Sequence, residues 1–188
     1  MNRPAVTLSV FALLFAGTSA GCSGHSGSAG ETTSTASSSS AGSSTAAAKP
    51  AGHIGDTLTL TRADGSTIAV TLEGVINPAT VTPGPGEPGV TYIATKLKIA
   101  DPGTVAIDGD VNINVSVSAS DGKSHVPDLK NVSECANFDS GMFRLDPGES
   151  ATGCVVFALP HGVSPTKVKY LPSSGFAEDF GEWTLSGH

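Results

Sequence analysis

The sequence contains few of the residues from which metal sites are built. Its 188 residues include five histidines, three cysteines and two methionines. No histidine pair has the His-x-His or His-x-x-x-His spacing of a zinc site. A blue-copper site needs a cysteine followed closely by a histidine and then a methionine, and no methionine follows Cys154. Only Met1 and Met142 are present, which also excludes a methionine-rich copper carrier.

Signatures of catalysis are equally scarce. The string closest to the Gly-x-Ser-x-Gly nucleophile elbow is "GHSGS" at 24–28, which fails at its last position. Paired carboxylates for glycoside hydrolysis are not singled out by any motif. We therefore expect no catalytic residues, no enzyme activity and no cofactor.

Three aspartates are the candidates for a metal site. Asp108 and Asp110 alternate as at the start of a calcium loop, but Ile113 and Ala119 stand where an EF-hand needs glycine and glutamate. A calcium site of another kind could use Asp108 and Asp110 together with Asp101. The alternative is a solvated loop in which the aspartates form turns.

Acidic residues outnumber basic ones. The chain has 17 acidic and 10 basic residues, a net charge of −7. Without Arg3, Glu31 and Lys49, the part from residue 50 onward keeps 16 acidic and 8 basic residues, so its net charge is −8. An acidic domain does not favour nucleic acid as a partner, nor flat docking on an anionic membrane.

The N-terminal segment has the parts of an export signal. Arg3 precedes an apolar run from Ala5 to Ala16, which ends in small residues. The run is shorter than the roughly 20 residues that a membrane-spanning helix requires. We predict a signal peptide over 1–21; the alternative is a buried helix or a retained anchor.

The end of this segment resembles the lipobox of bacterial lipoproteins. Ala20, Gly21 and Cys22 match its pattern, whereas Ser19 stands where leucine is usual. The resemblance implies cleavage before Cys22, whose thiol then carries diacylglycerol, with palmitate as a fatty acid of the anchor. The alternative is a secreted protein cut after Ala20, with Cys22 left as a free thiol.

The other two cysteines support the lipoprotein interpretation. Cys135 and Cys154 lie in the predicted folded part, and in an exported protein two such cysteines most simply form one disulfide. The bond closes a loop of about twenty residues, worth about 3 kcal/mol in the chain-entropy model. Lipidation then accounts for Cys22, the cysteine left over.

A low-complexity stretch separates Cys22 from the folded domain. Residues 23–48 are almost wholly serine, alanine, glycine and threonine, a composition that cannot bury enough apolar area to fold. We predict a disordered tether over 22–52, with a reach of roughly 30 Å, and a domain over 53–188.

Period-two alternation dominates this domain. In "DTLTLTR", "GSTIAVTLEGVI", "TYIATKLKIAD" and "DVNINVSVSAS", apolar residues alternate with polar ones, and "CVVFALP" is apolar on both faces. In the fourth segment we expect Val111, Ile113, Val115 and Val117 to face inward. Turn signals separate seven or eight such strands, which predicts an antiparallel immunoglobulin-like β-sandwich.

The order of these segments resembles a known family. "GDTLTL", "YIATKLKIAD", "LDPGESATGCVVFALP" and "KVKYLP", within 55–172, are similar to the telokin-like, immunoglobulin-fold domains of actinobacterial exported proteins. That family has no known function and is related in fold to a secreted immunoprotective antigen of mycobacteria. The resemblance implies the fold and export, and it supplies no catalytic residues.

Three classes of function are left. We expect a non-catalytic domain, lipid-anchored to the cell membrane on its extracytoplasmic side, that contacts an envelope or extracellular protein. Its binding surface would be a sheet face or a loop cluster that includes the Pro-Gly-rich loop from Pro83 to Gly89. The alternative is a module that binds a small ligand, a lipid or a metal ion. A hydrolase is the third class.

Overall fold

Alternating side chains place one face of each long strand in a shared core.

The computed structural model describes residues 50–172 and 179–185. The predicted signal peptide, Cys22 and nearly all of the predicted tether lie outside the described residues. No helix among the residues described is long and apolar enough to cross a membrane.

The described residues form short and long strands, one α-helical turn and one 3₁₀ turn at Asp139–Gly141. Their bounds are β1 Ala51–His53, β2 Thr57–Thr61, β3 Thr67–Ile76, β4 Val81–Thr82, β5 Val90–Ala100, β6 Ile107–Asp110, α1 Val111–Asn114, β7 Val115–Ala119, β8 Ser124–His125, β9 Pro127–Asp128, β10 Asn131–Val132, β11 Met142–Leu145, β12 Ser150–Pro160, β13 Pro165–Tyr170 and β14 Gly181–Thr184.

Two five-stranded sheets carry the architecture. Sheet I has the strand order β2-β3-β5-β12-β9, and sheet II has the order β1-β14-β13-β7-β8. Neighbouring strands are antiparallel except β1 and β14, which are parallel. Two small pairs, β4–β10 and β6–β11, complete the described strands. The predicted β-sandwich is confirmed, with more strands than predicted because several are only two to four residues long.

The main core lies between the two sheets. Its largest fully buried side chains come from both sheets, with Leu60, Leu97 and Phe157 from sheet I and Tyr170 and Trp183 from sheet II. The Trp183 indole also donates a hydrogen bond of 3.0 Å to the Asp56 carbonyl. The turn that joins β1 to β2 is thereby tied to the core.

The predicted strand over 111–118 is wrong in its first half. Residues 111–114 form the helical turn α1, in which Ile113 is 64% exposed and Asn114 is 5% exposed. The cause is local, because the Asp110 carboxylate accepts a hydrogen bond of 2.8 Å from the Asn112 N–H and caps the turn. The alternation is regular only from Val115 onward.

The first strand begins before the predicted domain boundary. Residues 51 and 52, assigned to the tether, pair with residues 182 and 183 of β14. The Glu182 N–H also donates to the Pro50 carbonyl at 3.1 Å. A strand of three residues has too little alternation to be recognised in a sequence.

Pairing registers define the two ends of the sandwich. Thr61 N donates to the Asp179 carboxylate at 2.8 Å, so the end of β2 and the start of β14 lie together. Pro50 lies there as well, and we name this the proximal end. At the distal end, Val90 at the start of β5 lies opposite Pro160 at the end of β12.

The close contact of Gly153 with Phe138 in sheet I can be tested by substitution. A Cβ on Gly153 would lie 2.7 Å from Cδ2 and 2.9 Å from the backbone N of Phe138, whereas a Cβ on Gly74 would meet nothing within 4 Å. Because neither the strand nor the Phe138 backbone can move freely, Gly153→Ala should lower the free energy of unfolding by about 1–3 kcal/mol. Urea denaturation followed by Trp183 fluorescence measures this change.

Gly74→Ala is the matched control. It also adds one methyl group to a long strand of sheet I, and its effect should stay within about 0.5 kcal/mol. Equal effects of the two substitutions would contradict the packing of Phe138 against β12.

Candidate functional site

The outer face of sheet I is apolar at its distal end and is covered by loops. Tyr92 and Ala94 of β5 and Cys154 and Val156 of β12 form a second buried cluster there. We call the covering segments, 77–89 and 129–137, the loop layer. The covered face explains why "CVVFALP" is apolar on both sides.

A short antiparallel pair connects the two segments of the loop layer. Val81 of β4 pairs with Val132 of β10, and both side chains are buried in the second cluster. Ser133 N donates to the Thr80 carbonyl at 2.9 Å, and Ala79 N donates to the Tyr92 carbonyl at 2.8 Å. The layer is thus bonded both internally and to β5.

The predicted disulfide between Cys135 and Cys154 is confirmed. Cys154 lies in β12 and is 2% exposed. Its backbone N–H donates to the Ala136 carbonyl at 2.9 Å, so the covalent bond and a main-chain bond lie side by side. Together they fix segment 129–137 to a central strand of sheet I.

The Pro-Gly-rich loop folds back over Tyr92. A Cβ on Gly86 would lie 2.6 Å from the ring carbon Cε2, so only glycine allows this close approach. The Glu87 N–H donates to the Tyr92 hydroxyl at 3.4 Å. His161 N donates to the Gly89 carbonyl at 2.9 Å, which places the loop at the distal end.

Charged groups join the two segments at the surface. Lys130 Nζ lies 3.4 Å from a Glu87 carboxylate oxygen and 6.0 Å from the Tyr92 ring centroid. The hydrogen bond from Lys130 to Glu87 raises the pKa of Lys130. On the other side, Glu134 accepts a bond of 2.9 Å from Thr80 N, and hydrogen bonding to Thr80, chiefly its side chain, lowers the pKa of Glu134. Exposed contacts of this kind orient loops more than they stabilise the fold.

The layer leaves an open depression on the surface. It has a volume of about 450 Å³ and lies between residues 78–81 and 84–87, with Tyr92 at its base. All residues from Pro83 to Gly89 are exposed. The loop therefore presents main-chain groups, proline rings and one carboxylate on a constrained backbone.

The three calcium candidates have separate structural roles. Asp101 is 1% exposed, and its Oδ1 accepts a bond of 2.8 Å from Gly103 N. Asp110 caps α1. Asp108 lies in β6, opposite Arg144 in the backbone pairing of β6 with β11. Within 50–172 and 179–185, no group of three or more histidine, cysteine or acidic side chains could hold a metal ion.

The sequence predicts the loop from Pro83 to Gly89 as part of a binding surface, but not the facing segment 129–137. The cysteine pairing could have identified this segment. Once Cys135 is paired with Cys154, the residues around Cys135 must lie on the strand "CVVFALP". The second apolar face of that strand must be covered by another part of the chain. Segment 129–137 contains Cys135, so the disulfide holds it against this face.

Comparisons with known proteins show the fold. No family model and no curated protein matches the sequence. The secreted protein MPT63 of Mycobacterium tuberculosis matches with a TM-score of 0.56 and 20% identity, over 74% of this chain and 99% of that chain. The yjhA protein of Bacillus subtilis matches with a TM-score of 0.51 and 14% identity, over 72% and 99%. The expected likeness in fold to a secreted mycobacterial protein is thus confirmed, and membership of the telokin-like family stays a prediction.

Proposed function

We propose that this chain is an exported lipoprotein whose immunoglobulin-like domain binds an envelope or extracellular protein through the loop layer, without catalysing a reaction. The observation that carries the proposal is the fixed, outward-facing loop from Pro83 to Gly89. It is tied to β5 through Tyr92 and to segment 129–137 through Glu87 and Lys130.

Preorganisation is the physical reason to assign binding to this loop. A free loop loses conformational entropy when it binds, and that loss weakens the complex. Here the disulfide, the β4–β10 pair and the contact of Gly86 with Tyr92 remove much of that freedom beforehand. Exposed loops on a rigid sandwich are also where this architecture usually carries its binding residues.

The position of the loop suits a domain held by its N-terminal segment. The described chain begins at the proximal end, where Pro50 lies beside Glu182. The loop from Pro83 to Gly89 lies at the distal end, beside His161. The point where the predicted tether joins the domain and the loop from Pro83 to Gly89 thus lie at opposite ends of the domain.

Two observations support export. A disulfide between Cys135 and Cys154 is the bond expected of a protein that folds outside the reducing cytoplasm. MPT63, which shares the fold, is a secreted protein. Anchoring rests on the sequence around Cys22 alone.

The anchor is tested by removing the thiol. Cys22→Ala should shift the protein from the membrane fraction to the soluble extracytoplasmic fraction, because a lipoprotein without its lipid has lost its membrane attachment. Fractionation followed by immunoblotting measures the distribution. Membrane retention equal to that of the unchanged protein would refute lipid anchoring.

The binding surface is tested by photo-crosslinking in intact cells. A photoreactive residue at Pro88 should give one discrete crosslinked product, whereas the same residue at Thr104, exposed at the proximal end, should not. The Cys135→Ser, Cys154→Ser double variant should give less of the Pro88 product, because main-chain bonds alone then hold segment 129–137 to β12. Products from both positions, or from neither, would contradict a binding role for the loop.

A further inference from the structure

The four edge strands of the two large sheets differ in length and composition. β1, β8 and β9 have three, two and two residues, and β9 contains Pro127. β2 has five residues, "TLTLT", with no charge, no proline and no bulge in its pairing with β3. Proteins usually protect sheet edges with short strands, charges, prolines or bulges. Among these four edges, β2 is the longest, and the strand itself contains no charge, proline or bulge.

The backbone of β2 directs hydrogen-bonding groups outward. Arg62 N donates to the Ser66 carbonyl at 2.8 Å, which makes residues 62 and 66 a hydrogen-bonded pair. Because such pairs alternate along an antiparallel ladder, Thr57, Thr59 and Thr61 direct their N–H and C=O groups away from β3. The Thr61 N–H confirms this direction, since it donates to the side chain of Asp179.

One of these outward groups is occupied, and no strand lies beyond the others. Asp179 takes the N–H of Thr61 at 2.8 Å. In the part of the chain that the structure describes, no further strand follows β2 in sheet I, and Thr57 and Thr59 are exposed. Both N–H and C=O groups of Thr57 and Thr59, with the C=O of Thr61, thus form a row at the sheet edge.

We propose that the outer edge of β2 is a strand-addition site for an extended segment of another protein, with basic side chains at the ends of that segment. Main-chain bonds to Thr57, Thr59 and Thr61 hold the segment as a sixth strand of sheet I. The carboxylates of Asp56 and Asp179 flank the row and attract the basic side chains.

Charge argues against a second copy of this chain as the occupant. A symmetric antiparallel pair centred on Thr59 would place Thr57 of one copy opposite Thr61 of the other. Asp56 of each copy would then lie near Asp179 and Arg62 of the other. Because the Arg62 guanidinium donates to the Asp108 carbonyl of its own copy at 2.9 Å, the two carboxylates would meet at both ends. The Thr61 N–H is also already bonded, which removes one bond from each half of such a pair.

This site is separate from the loop layer. The loop layer covers Tyr92 and Cys154 on β5 and β12, whereas β2 is at the edge of the sheet, with β3 between it and β5. A variant of β2 that loses strand addition should therefore leave the Pro88 crosslink unchanged. The two proposals fail independently.

The test uses a synthetic peptide, Lys-Val-Thr-Val-Thr-Val-Lys with blocked ends, added to the soluble Cys22→Ala protein labelled with ¹⁵N. The largest amide shifts should fall on Thr57 and Thr59. A peptide with glutamate in place of both lysines should bind several-fold more weakly.

Thr59→Pro removes an outward N–H that β3 does not use, and it should weaken binding by about tenfold. Thr59→Val keeps that N–H and should bind within about twofold of the unchanged protein.

Each other outcome overturns the proposal. Absence of binding, equal binding of the glutamate peptide, or full binding by Thr59→Pro would refute strand addition. If Thr59→Pro does not fold, the shift map of the unchanged protein decides, and shifts centred away from β2 refute the site. A dimer in sedimentation with a protected Thr59 amide would identify a second copy as the occupant and refute the partner segment.

Discussion

The antiparallel pairing of β5 with β12 is the interaction on which the rest of the structure depends. The two strands pair over eleven residues, from Val90 opposite Pro160 to Ala100 opposite Ser150. Their inward side chains, such as Leu97 and Phe157, belong to the main core between the sheets. Their outward side chains form the second cluster at the distal end. The ladder therefore supports two apolar layers at once.

The loop layer follows from that arrangement. An apolar patch such as that formed by Tyr92 and Val156 gains stability when it is removed from water, at about 25 cal/mol per Å². The gain must exceed the entropy lost by ordering the loops that cover it. The disulfide from Cys135 to Cys154 reduces that entropy, and the contact of Gly86 with Tyr92 keeps the loop close. A surface that is covered for stability is thereby also fixed in its conformation.

Much of this could be predicted because the strands of sheet I are long. β2, β3 and β5 carry enough alternation to be recognised, and the unbroken apolar run "CVVFALP" in β12 indicates a strand with two buried faces. The alternation of apolar and polar residues gave a wrong prediction where a local side-chain contact sets the backbone conformation. At α1 the Asp110 side chain caps a helical turn although the apolar residues still alternate. In β1 and β10 the strands are too short for any period, and their partners are far away in the chain.

Amide hydrogen exchange, followed by NMR on the purified oxidised protein, tests the central role of the β5–β12 ladder most directly. We expect the slowest amides to lie in β5 and β12 and to exchange with the free energy of global unfolding. Amides of β4 and β10 should open at lower free energy, and reduction of the disulfide should lower that value further while the β5–β12 amides stay the most protected. Exchange from β5 and β12 at lower free energy than from β4 and β10 would contradict this role of the β5–β12 ladder.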